Sequence, residues 1–121
     1  MKIYSFKKDE GKHVTHFDSN FIMARIAATD DGVHIGCMYL DPDGVIGYHK
    51  AVVPQLLLII DGSGRARGSK GNYVEVGKGD AIFWEKCEYH EVVSSYGLTA
   101  IVMESENLQP NAFMKERDES I

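Results

Sequence analysis

The chain has 121 residues, with 13 Lys+Arg against 18 Asp+Glu and a formal charge of −5 at pH 7. That length suits one domain with its own core, and 44% hydrophobic with 26% charged residues are globular proportions that exclude disorder. The acidic balance excludes a nucleic-acid footprint, which takes clustered Lys and Arg; Lys7-Lys8 and Arg65 with Arg67 are too small to supply one.

Cys37 and Cys87 make neither a disulfide framework nor a zinc-knuckle spacing, and read as reduced thiols of a cytoplasmic protein. Charges interrupt MKIYSFKKDEGKHVTH at the N-terminus and leave no apolar signal region. The most apolar stretch, residues 51–60, contains Pro54 and Gln55 and is far short of the ~20 residues that span a bilayer, so no membrane partner is expected.

Helical periodicity is nearly absent. Short β-branched and aromatic runs alternate instead with Gly- and Asp-rich punctuation. Residues 1–20 read as an N-terminal arm, in which 3–6 (Ile3-Tyr4-Ser5-Phe6) alternate apolar with polar. A strand over 21–29 is followed by Asp30-Asp31-Gly32, a hairpin signal, and a strand over 33–40 by Asp41-Pro42-Asp43-Gly44, a second turn. Strands are then expected over 45–49 and 55–61, a turn at Gly62-Ser63-Gly64, and strands over 65–68, 73–76, 81–84, 90–95 and 98–104. Spacing of roughly 8–12 residues is that of a β-sandwich or barrel, and no crossover helices intervene. The fold class is therefore all-β, a single antiparallel barrel or jelly roll over 21–105. Residues 106–121 form a tail with a short helix from Pro110 and a solvated end over 115–120.

Two stretches carry a motif. His49, Ala51, Gln55 and Gly62 stand at the two His, the Glu and the closing Gly of G-x5-H-x-H-x3-4-E-x6-G, with the opening Gly44 one residue late. Gly79, Glu85, Cys87, His90 and Ser94 stand at the positions of G-x5-P-x-G-x2-H-x3-N. Together these resemble the cupin superfamily in its small single-domain form, the jelly roll also used by dTDP-sugar epimerases. The resemblance implies a metal position inside the barrel, where three His and one Glu hold a divalent ion: Fe, Mn, Ni, Cu or Zn.

This chain keeps His49 and His90, but Ala51 cannot ligate and Gln55 offers only a neutral amide oxygen. Losing one imidazole and one charge weakens affinity by several kcal/mol, at about tenfold for each 1.4 kcal/mol. Two readings follow from the resemblance. One is a barrel that binds a small molecule around a degenerate metal site of His49, Gln55 and His90. The other is a divalent-metal-dependent enzyme of dioxygenase, isomerase or lyase type with those residues as ligands. Pocket-lining candidates are His34, Tyr48, Ala51 and Trp84; His34 is either a substitute ligand or a solvent-facing residue.

Glu85, Glu88, Glu91 and Glu104 are general bases in principle, with no pair shown to converge. Cys37 reads as packing, and Cys87 as a turn thiol near the barrel mouth. Relatives of the fold commonly dimerise, and a homodimer is expected here. The run Leu56-Leu57-Leu58-Ile59-Ile60 is apolar on both strand faces, so the face turned away from the barrel needs a cover. Either a second subunit or the chain's own terminal segments would provide it.

Overall fold

The computed structural model describes residues 1–117. Its strands are β1 (Lys12–Val14), β2 (Phe21–Ala28), β3 (His34–Leu40), β4 (Gly44–Lys50), β5 (Gln55–Arg67), β6 (Val74–Gly77), β7 (Ala81–Trp84), β8 (Tyr89–Ser94) and β9 (Leu98–Glu104). The hydrogen-bonded order is β1-β2-β3-β9-β5-β8-β4, with β6 and β7 also paired to β5, and every pairing is antiparallel.

β5 makes this a barrel. Residues Gln55 to Gly62 pair with β9, and Gln55 to Leu58 with β7 on the other side. Beyond the bend, Ser63 to Ala66 pair with β6 and Arg65 to Arg67 with β8. The sequence reading placed a turn at Gly62-Ser63-Gly64 between two strands; the structure instead runs one strand through it. The chain bends, because the register slips between Ile59 and Asp61 and Gly62 takes φ +80°. A Cβ at Gly62 would come within 2.3 Å of the Gly97 carbonyl oxygen, so the bend needs glycine.

Alternate residues of the strands fill the interior. Leu57, Ile59 and Ala66 of β5 meet Met38 and Leu40 of β3, Val92 of β8 and Ala100 and Val102 of β9, all 4% exposed or less. Fully burying one Leu, Ile or Val contributes roughly 1.5–3 kcal/mol, and these chains come from β3, β5, β8 and β9, with Phe21 of β2 and Ile46 of β4 joining the same core.

At the N-terminus, the alternating stretch 3–6 forms no strand: Ile3 and Tyr4 are 87% and 83% exposed. The free edge of β2 is taken instead by β1, which sequence reading did not foresee. A 3₁₀ turn, His16–Asp18, follows it with Phe17 and Asp18 both in the left-handed region. The expected C-terminal helix is a single 3₁₀ turn, Pro110–Ala112. Lys115, Glu116 and Arg117 are exposed, and the remainder of the expected solvated end lies outside the described residues. On the outer side of β5, Leu56 is only 7% exposed within the single chain, whereas Ile60 is 45% exposed. Among the described residues no helix is long and apolar enough to cross a membrane.

Candidate functional site

His49 and His90 lie directly opposite each other in the β4–β8 ladder. Simple alternation would not bring this about, because Ile46 faces the interior at 4% exposure and His49 is an odd number of residues further on. A bulge of one extra residue between Ile46 and His49 reverses the alternation and turns His49 inward. The ring centroids of His49 and His90 are 4.3 Å apart at 54°. Trp84 stacks on the other side of His90 at 4.6 Å and 30°, and Phe17 on His49 at 4.9 Å and 7°. Four rings therefore run in series, Phe17, His49, His90, Trp84, from the surface into the core.

The two imidazoles differ in their surroundings. His49 is half-buried, and its Nδ1 lies 2.6 Å from the Gly47 carbonyl oxygen. A carbonyl only accepts, so Nδ1–H donates and, in the neutral ring, Nε2 carries the lone pair. His90 is 1% exposed, and neither ring nitrogen has a hydrogen-bond partner. Burial, and then the neighbouring His49, push its pKa down to about 4; the Glu88 backbone pulls the other way but lies outside hydrogen-bonding geometry. Near pH 7 His90 is a neutral, desolvated imidazole.

The other candidates fall in several places. Gln55 is half-buried, on the same face of β5 as Leu57 and Ile59, and directly opposite Trp84 on β7 and Glu104 on β9. Ala51 is 3% exposed and presents a methyl group just past the end of β4. Trp84 is 3% exposed and its indole N–H donates to the Arg67 carbonyl at 3.2 Å. Tyr48, thrown outward by the bulge, stacks on Tyr89 at 5.3 Å under the Arg67 guanidinium, on the outer side of the sheet. His34 is exposed at the start of β3, opposite Glu104.

Sequence reasoning did not place Glu104 or Phe17 at the site. Glu104 shares the face of Ala100 and Val102, which puts a half-buried carboxylate between His34 and Gln55; its even spacing from those residues was the available signal. Phe17 reaches His49 through a left-handed backbone that no sequence signal announced. Cys87 is exposed in a turn with φ +71°, and burial pushes the Cys37 thiol up in the core.

The donor set answers whether these residues suit the metal implied by the resemblance. Among the described residues no group of three or more His, Cys, Asp or Glu could hold an ion. What remains at the motif positions is two imidazoles and a neutral amide, and the Glu104 carboxylate opposite Gln55 forms no such group with the imidazoles. The set falls short of a resident metal centre.

No family model matches the sequence, and no curated protein matches it. Solved structures do. A predicted oxalate decarboxylase of Thermotoga maritima is similar at a TM-score of 0.69 and 18% identity, covering 83% of this chain and 96% of that one. An RmlC-like cupin family protein of Methanocaldococcus jannaschii with a double-stranded β-helix fold gives 0.67 and 18%, covering 87% and 90%. A conserved double-stranded β-helix protein of Klebsiella pneumoniae gives 0.67 and 16%, covering 90% and 94%. The chain is a cupin in fold. Its nearness to these particular structures extends to the barrel, and identities this low carry nothing about activity.

Proposed function

We propose that this cupin barrel binds a small molecule, whose polar group is received by the His49–His90 pair with Gln55 beside it and Trp84 as the apolar wall. The observation that carries this reading is the His90 ring, buried with both nitrogens unpartnered. Leaving a buried polar group unsatisfied costs roughly 1–3 kcal/mol, a cost that a ligand group placed there relieves. The neutral His90 ring offers both a lone pair and an N–H donor, which suits a group that both donates and accepts, such as a hydroxyl. Two cysteines not bonded to each other favour a reducing compartment, the cytoplasm.

The test is a screen of hydroxylated small molecules by thermal shift, followed by histidine-ring nitrogen NMR on the hits. Hits that move the His49 and His90 resonances together support the reading, and hits that move neither remove it. Elemental analysis of untagged protein runs alongside. A stoichiometric divalent metal lost on His49→Ala would replace this reading by the metal-dependent enzyme of dioxygenase, isomerase or lyase type.

A further inference from the structure

Among the described residues β6 and β7 each pair only with β5, β6 beyond its bend and β7 before it. Their other edges face an opening between the two halves of the barrel, and a cavity of about 710 Å³ fills it. Its apolar lining includes Leu56, Ala66, Val76, Ile82 and Trp84, and its outer wall includes Pro110, Met114 and Arg117 of the C-terminal segment. His49, His90 and Gln55 are absent from that lining, so Trp84 is a partition: His90 stacks on the indole, which also walls the cavity.

From this geometry we infer that the opening is a second ligand site, for a neutral, mainly apolar small molecule, roofed by the C-terminal segment. The volume lies within the roughly 300–1,000 Å³ of small-molecule sites, and the floor is apolar and aromatic. The charge arrangement sets the ligand's class. Arg67 at the rim is engaged by Glu91 at 2.8 Å, and Arg117 by Asp80 at 2.8 Å. The remaining charged residues of the lining, Glu88, Lys115 and Glu116, leave no excess of positive charge to hold an anion.

The roof is latched by Arg117. Besides the Asp80 carboxylate, its guanidinium donates to the Glu75 carbonyl on the free edge of β6 at 2.8 Å. Asp80 is itself held in the Gly79 turn, where Oδ2 accepts from the Gly77 N–H at 2.8 Å. Residues 111–117 are otherwise exposed, so little apolar burial opposes their lifting.

The experiment is a titration of the full chain with N-phenyl-1-naphthylamine, a neutral two-ring amine, read by energy transfer from Trp84, the one tryptophan present. One-site, saturable quenching of Trp84 is expected, weakened about tenfold or more by Val74→Phe and by Ala81→Phe. Both positions line the cavity and are exposed, Val74 by 38%, so the added rings occupy the cavity without displacing core residues; circular dichroism checks each fold. Absence of saturable binding, or binding unchanged in both folded variants, overturns the site. Arg117→Ala should raise the association rate by about threefold or more, and an unchanged rate overturns the latch. His49→Ala separates this cavity from the imidazole pair. Affinity within about twofold of the parent supports the assignment, and a loss of about tenfold places the probe at the pair and overturns it.

Discussion

Gly47 and Phe17 touch so closely that no side chain fits between them: a Cβ on Gly47 would lie 1.7 Å from the Phe17 carbonyl oxygen. Gly47 also accepts the His49 Nδ1–H, and its own N–H donates to Ser19 Oγ at 2.8 Å. One glycine thus sets the bulge, the left-handed turn above it and the orientation of the imidazole. Gly47→Ala should lower unfolding free energy by about 1–3 kcal/mol or more, the range for overpacking a tight contact. Urea denaturation measures this, and a neutral result would mean that the His16–Asp18 turn moves freely away from β4.

His90 makes stability depend on pH. Its folded pKa is about 4, below the ordinary value of 6.5, so the unfolded chain takes up the proton first. The contribution is fully present above pH ~6.5 and is lost as pH falls toward ~4, amounting to at most about 3 kcal/mol. His90→Phe removes this dependence. Between pH 7 and 4.5 the parent's urea midpoint should fall more than the variant's; parallel declines would show that the ring is protonated in place at little cost.

Restoring the missing ligands should create a metal site. Ala51→His with Gln55→Glu adds one nitrogen donor and one negative charge beside His49 and His90, and should raise divalent-metal affinity by about two orders of magnitude or more. Titration calorimetry with Zn²⁺ or Mn²⁺ measures the gain. No gain over the parent would mean that positions 51 and 55 do not converge on the imidazole pair.

The homodimer is a prediction from exposed surface. Ile3, Tyr4 and Phe6 are 87%, 83% and 49% exposed, with Ile60 at 45%, and all four are unfavourably solvated in a lone chain. Light scattering should give a mass near twice 13.5 kDa, reduced by deleting residues 1–6. A mass near one chain rejects it.

The strands were legible because Gly and Asp punctuate short alternating runs, and the fold because the two glycine–histidine spacings lie in order along one chain. The resemblance implied that His49 and His90 come together, and they lie opposite each other in the β4–β8 ladder. What stayed hidden depends on partners rather than on local pattern. The bulge that sends Tyr48 out and His49 in exists only in the register with β8. The Gly62 bend looked like a turn because glycines mark both, and only the ladders to β9, β6 and β8 distinguish them. The expected and observed strand numbers agree only because β5 merges two expected strands while β1 adds one. Glu104 was visible as a residue but not as a neighbour of Gln55, since its position depends on pairing across β5 and β9.

That β5 belongs to both halves of the barrel has a consequence for how the molecule comes apart. A strand that stops at a sheet boundary lets one sheet melt while the other survives. Here Leu57 and Ala66 lie on one uninterrupted backbone, hydrogen-bonded to β9 at one and β8 at the other, so neither half can release its ladder without loosening the other's central strand. Amide exchange at Leu57 and Ala66 should therefore report a common opening free energy and fall together as denaturant is added, with the bend acting as a mechanical coupling between the halves.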